Sequence, residues 1–218
     1  ISANDQAITN KAMSTIDEVL ASPLLKDKIQ VLRTVCRNIS TQPIRNAATI
    51  GGNLTCRYTW TEMPSTMIGL DAALHFTDAQ LNISSLSAEE FFKASAKTDK
   101  LLTHITIKRD KGAAIAYQRV RRSSSVDIPL LSLIIKTNFQ GKKFTNTRVA
   151  VNNCVTFAPR DTVLENFLSQ STASPTIAQE ALDHLDKNIY DTRSGEYKQH
   201  MFRVSIKKAV EDLVKQAK

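Results

Sequence analysis

Nowhere in the 218 residues does an apolar run approach the ~18 to 20 residues that a membrane span requires. The three cysteines, Cys36, Cys56 and Cys154, are too few and too widely spaced for a disulfide framework. None forms a C-x-x-C or pairs with a histidine, which argues against a zinc or iron–sulfur site held by this chain. Free thiols in a reducing compartment are the simplest use of them. The N-terminus lacks the basic, apolar, small-residue order of a signal peptide, so a cytoplasmic location is expected. Also missing are a Ser/His/Asp or Cys/His set and a pair of catalytic carboxylates. Hydrolase and metalloenzyme readings therefore have little support, and no side chain is assigned a catalytic role.

What is present supports one large domain or two small ones, since 42% of the residues are hydrophobic. The net charge of +8 raises nucleic-acid or membrane binding, but the basic residues are dispersed and form no stripe bearing aromatics. Arg119, Arg121 and Arg122 are the one dense cluster, suited to an acidic partner or a diphosphate, whereas Lys207, Lys208, Lys215 and Lys218 fit the solvated face of a terminal helix. Neither nucleic acid nor membrane is expected as a partner.

The stretch Gln42 to Leu54 contains the chain's one Gly-Gly pair, Gly51-Gly52, after Thr49-Ile50 and before Asn53. Adjacent glycines admit positive φ and can expose successive N–H groups as an anion-binding concavity, to which Thr49 adds a hydroxyl and Asn53 an amide. A tight turn between two elements explains the same residues equally well. On the first reading, substituting either glycine lowers ligand occupancy more than stability. Pro43 is expected to keep Gln42 out of helical conformation, so that the motif starts on a loop.

I-R-N-A-A-T-I-G-G-N-L, followed by Pro64 and Met67-Ile68-Gly69-Leu70-Asp71-Ala72, resembles the FAD-binding (medium) subunit of the molybdopterin dehydrogenases, the xanthine dehydrogenase and carbon monoxide dehydrogenase type. That resemblance implies that Thr49, Ile50, Gly51, Gly52 and Asn53 hold the FAD diphosphate. Glu62 stands where the family has an Asp near the adenosine end. Lys100-Leu101-Leu102-Thr103 resembles the family's E-L-L-T, with Lys replacing Glu and Leu102 implied beside the flavin. Tyr117 to Ile128 resembles Y-x-K-x-x-R-x-x-x-x-D-I, which implies flavin proximity for Arg119, Asp127 and Ile128, with Arg119 in the Lys position. Asp127 fits equally a structural salt bridge to Arg121 or Arg122.

Ile1-Ser2-Ala3 resembles the family's I-G-A, which follows a first subdomain with a second Gly-rich FAD loop of A-G-G-T type. Either that loop lies upstream, or half of the cradle has been lost. The implied activity is electron transfer from iron–sulfur clusters of a small subunit, fed by a molybdopterin-binding large subunit, through FAD to NAD or another acceptor. The competing reading is a non-enzymatic subunit that keeps the fold without flavin. The expected fold class is α+β: residues 1–110 as the second subdomain of a PCMH-type FAD-binding domain, and residues 111–218 as a C-terminal domain with a three-stranded antiparallel sheet packed with helices.

Periodicity predicts helices over Ile8 to Leu20 and Leu24 to Ile39, a buried helix over Ser65 to Ala73, and strands at Leu74 to Thr77 and Gln80 to Ser84. A short helix follows Ser87. Tyr58 and Trp60 either stack on a planar ring or pack against the helix after them. His104 is either a proton carrier or part of an exposed strand face. Beyond Lys108 to Gly112, the best boundary, strands are expected at Ala113 to Val120, Ile128 to Phe139 and Arg148 to Phe157, with a hairpin turn at Gln140 to Lys143. Helices are expected at Asp161 to Ser169, Thr176 to Lys187 and Tyr197 to Lys215.

Overall fold

The computed structural model describes residues 1–94, 98–124, 126–154, 157–191 and 195–217. They form two compact units, Ile1–Lys111 and Gly112–Lys218. The first is built on a five-stranded antiparallel sheet of order β1-β2-β5-β3-β4, with β1 at Ser2–Ala3, β2 at Ala7–Lys11, β3 at Ala73–Thr77, β4 at Ile83–Ser87 and β5 at Leu101–Lys108. Alternation sends Ile8, Leu74, Phe76, Ile105 and Ile107 into the core. His75, His104 and Thr106 are half-buried and cluster together, with the two imidazoles stacked at 4.2 Å and His75 Nε2 2.9 Å from Thr106 Oγ1.

Six helices join the strands: α1 (Ile16–Ala21), α2 (Val31–Asn38), α3 (Gln42–Ala47), α4 (Ile50–Thr55), α5 (Met63–Gly69) and α6 (Ala88–Lys93). The single helix expected over Ile8 to Leu20 is instead β2 followed by α1. Main-chain pairing with β5 fixes Ala7 to Lys11 as a strand, and the capping box of Thr15 and Glu18 starts the helix only at Ile16. The expected Leu24 to Ile39 helix shortens to α2, preceded by a 3-10 turn at Asp27–Gln30. Strand β4 begins later than expected, because Asp78 accepts the amides of Gln80 and Asn82 and lengthens the turn. Helix α5 is buried along its whole length, and α6 opens on a Ser87/Glu90 capping box.

Gln42 is also helical, as the first residue of α3, with Pro43 in the first turn. Proline is tolerated there because the N–H it lacks has no intrahelical partner in any case.

In the second unit, β6 (Ala114–Val120), β7 (Leu131–Gln140) and β8 (Lys143–Asn152) form an antiparallel sheet of order β6-β7-β8. Gly141, at φ 58°, makes the β7–β8 hairpin turn. Strands β7 and β8 are displaced by a few residues from their expected spans; Val155 and Thr156, within the span expected for the last strand, lie outside the described residues. Helices α7 (Thr162–Gln170), α8 (Ile177–Glu180), α9 (Lys187–Tyr190) and α10 (Glu196–Val214) follow. Leu133, Ile135, Phe144 and Val149 of the sheet pack with Leu164, Leu168, Phe202, Ile206 and Leu213 of the helices. The helix expected over Thr176 to Lys187 is broken, with a 3-10 turn at Ala181–Asp183 after α8.

Candidate functional site

Ile50 to Asn53 form the start of α4, with Thr49 extended as its cap, so the motif is a helix start and not a turn with exposed amides. Neither Gly51 nor Gly52 has positive φ. Thr49 caps α4, its Oγ1 accepting the Gly52 amide at 3.1 Å. The other leading amides also have partners in the protein: Ile50 N–H donates to Ser14 O at 2.9 Å, Gly51 N–H to Ala12 O at 2.8 Å and Asn53 N–H to Thr49 O at 3.0 Å. The expected row of exposed N–H groups is therefore not formed. Gly51 serves close approach instead, since a Cβ there would lie 2.8 Å from both the Cβ and the carbonyl oxygen of Ala12.

A cavity of about 390 Å³ opens over this helix. Gly51 and Gly52 form part of its floor, with Gly52 exposed. Hydroxyls come from Thr49, Thr55 and Thr98, apolar wall from Ala12, Met13, Phe91, Leu101 and Leu102, and positive charge from Arg57 and Lys100, with no carboxylate among the lining residues. Thr55 Oγ1 donates to Gly51 O at 2.9 Å. Lys100 Nζ donates to Ser84 Oγ at 3.1 Å. Arg57 Nη2 donates to Phe92 O at 2.9 Å and also to Phe91 O and Ala94 O, and its guanidinium lies 5.5 Å from the Phe91 ring centre. These carbonyls end α6, where a cation is favoured by the helix dipole.

Of the residues singled out in the sequence, Thr49, Gly51, Gly52 and Leu102 meet at this cavity. Ile50 is fully buried beneath it, and Asn53 Oδ1 is buried without a hydrogen-bond partner. Glu62 is 4% exposed and lies outside the cavity lining; its carbonyl accepts from the Ser65 and Thr66 hydroxyls. Arg57 and Thr55 had no signal in the sequence. The left-handed φ of 54° at Arg57 is what turns the chain there.

Arg119, Asp127 and Ile128 belong to the second unit. Asp127 pairs with Arg119, not with the side chains of Arg121 or Arg122: Arg119 Nη2 donates to Asp127 Oδ1 at 2.8 Å and to its carbonyl at 2.9 Å, and both side chains are 7% exposed. The amides of Arg122 and Ser123 donate to Asp127 Oδ2. Burial pushes the Asp127 carboxyl up, but the Arg122 amide, the Arg119 guanidinium and the Ser123 amide together hold it below the usual carboxylate value. The carboxylate ties the amides of Arg122 and Ser123 to Arg119 near the end of β6. Ile128 is 48% exposed.

A Gly-floored cavity with a cationic rim and an apolar wall, beside an antiparallel sheet, suits a ligand that carries both negative charge and apolar surface. Residues 1–108 match the family model for the FAD binding domain in molybdopterin dehydrogenase, and the chain belongs to that family. It is 25% identical over 143 residues to the glyceraldehyde dehydrogenase medium chain of Sulfolobus acidocaldarius, a match covering 64% of this chain and 50% of that one. It is likewise 25% identical over 138 residues to the nicotinate dehydrogenase FAD-subunit of Eubacterium barkeri, covering 60% and 47%. The chain thus spans about half the length of the curated relatives it matches. The structure of carbon monoxide dehydrogenase from Hydrogenophaga pseudoflava shares the fold, with a TM-score of 0.86 at 18% identity, covering 100% of this chain and 78% of that one. Among the described residues, no helix is long and apolar enough to cross a membrane.

Proposed function

We propose that this chain is the FAD-carrying, electron-transfer subunit of a cytoplasmic molybdenum-containing hydroxylase or dehydrogenase complex. Its partners are a molybdopterin-binding large subunit and an iron–sulfur small subunit, and NAD or another acceptor takes the electrons. The observation that carries this reading is the cavity over α4. Its exposed glycine floor lets a ligand approach the main chain, and its rim holds Arg57 and Lys100 without a carboxylate.

FAD fits this lining. Bound there, it supplies the exchange of electrons between one-electron and two-electron partners. The chain's own residues bind and orient it: the Thr49 hydroxyl offers a donor to a phosphate oxygen, Arg57 and Lys100 supply counter-charge, and Phe91 and Leu102 keep water from a planar ring. The four bonded leading amides of α4 favour a second reading, a subunit that keeps the fold without the flavin.

The visible absorption spectrum of the natively purified complex separates the two. Oxidised-flavin bands that bleach on reduction are expected. Their absence after reconstitution with FAD leaves the non-enzymatic reading standing.

A further inference from the structure

Tyr58 and Trp60 stand in the turn between α4 and α5. Their rings stack at 4.6 Å and 10°, yet they are 52% and 41% exposed. Exposure of this size does not fit burial against the helix that follows. The turn presenting them is firmly built, because the Tyr58 carbonyl accepts both the amide and the hydroxyl of Thr61, at 3.1 Å and 2.7 Å. Arg57 immediately before it takes the left-handed conformation that glycine adopts more easily, while its guanidinium is clamped to the carbonyls of α6 at the cavity rim. The strained residue is thus the one that joins the aromatic pair to the cavity.

We propose that the Tyr58–Trp60 pair is a stacking platform for the adenine ring of the dinucleotide whose phosphates face Arg57 and Lys100; this rests on the flavin reading above. Stacked aromatic side chains present a flat, low-entropy π-face to a heteroaromatic base. Adenine is the better occupant than the redox ring on grounds of environment. An isoalloxazine needs shielding from water, which the nearly buried Phe91 and Leu102 of the cavity wall offer, whereas the platform is open to solvent.

Trp60 is the sole tryptophan, so intrinsic emission reports on it directly. The full protein, freed of bound nucleotide, is titrated with ADP, FAD and riboflavin, with affinities measured by calorimetry. ADP is expected to quench Trp60 emission saturably. Trp60→Leu, which keeps apolar bulk without a ring, should weaken ADP and FAD roughly tenfold while leaving riboflavin within about twofold, and Trp60→Phe should restore most of the loss. Equal ADP affinity in the wild type and Trp60→Leu, or a loss shared equally by riboflavin, overturns the platform while leaving flavin binding intact. If none of the three ligands binds the wild type, the flavin reading itself falls.

Discussion

Gly51→Ala tests whether the first glycine of the motif serves packing or ligand binding. The added methyl lies 2.8 Å from the Ala12 Cβ and 2.8 Å from its carbonyl oxygen, in a site where Ala12 is only 5% exposed. The start of α4 must then retreat from the end of β2, stretching the 2.8 Å bond from Gly51 N–H to Ala12 O. Overpacking of this kind costs about 1–3 kcal/mol, and a weakened buried hydrogen bond about 1 kcal/mol more. Alanine returns about 1 kcal/mol of helix propensity. The net expectation is a loss of about 1–3 kcal/mol, visible in urea unfolding as a lower midpoint with unchanged slope.

Gly52→Ala is the internal control. Its Cβ meets only Thr49 Oγ1, at 3.0 Å, a hydroxyl that can shift, and the propensity gain offsets the disturbed cap, so stability should change by no more than about 0.5 kcal/mol. Adding Ala12→Gly to Gly51→Ala should recover only part of the loss, because the carbonyl contact remains. A Gly51→Ala protein as stable as the wild type would refute the close-approach account, as would a larger loss at Gly52.

Two further perturbations address charge. Asp127→Asn leaves the Arg119 guanidinium without its carboxylate and should cost about 2 kcal/mol at neutral pH, below the range for a deeply buried pair because the neighbouring Arg121, Arg122, Ser123, Ser124 and Val126 are exposed; urea unfolding checks it. Because the folded Asp127 titrates below its ordinary 3.8, its contribution is full above that value and is lost as pH falls through the folded pKa, so the variant should also show a flatter acid limb. His75 is held below its ordinary 6.5, first by burial and then by His104, with Lys11 opposite His104 on β2 adding positive charge nearby. A base with a depressed folded pKa stabilises above its unfolded value and loses that contribution as pH falls through the folded one. The difference in melting temperature between wild type and His75→Gln should therefore shrink or reverse below about pH 6.5, and parallel curves across that range would count against the stacked pair as an acid-sensitive element.

Local chemistry was legible where it acts over a few residues. Ser87 followed by Glu90 marks the start of α6, and Gly141 marks the β7–β8 hairpin, because a cap and a left-handed turn are decided by neighbours in sequence. Ile8 to Leu20 was misread because Ile8, Met13, Ile16 and Val19 have helical spacing, while the partner that makes Ala7–Lys11 a strand, β5, is contributed from far along the chain. The salt bridge considered for Asp127 forms with a different arginine for a related reason. Arg121 and Arg122 are nearer in sequence, but the carboxylate meets the side chain of Arg119 on β6 and, of Arg122, the main-chain amide.

The glycine motif shows the same limit at the site itself. Residue type revealed that the main chain at Gly51-Gly52 must come close to something, but not to what. The structure divides the two: the missing side chain of Gly51 admits Ala12, and that of Gly52 opens onto the cavity. Since the amides are already bonded within the protein, the positive potential felt by an anion in the cavity comes chiefly from Arg57 and Lys100. Lys100 replaces an acidic residue of the resembling motif, so the same position that departs from that pattern turns a mixed rim into a cationic one. Charge on an exposed side chain such as Lys100 is screened by salt more readily than a buried amide array. Anion binding at this cavity should accordingly be sensitive to ionic strength in a way that a main-chain cradle would not be.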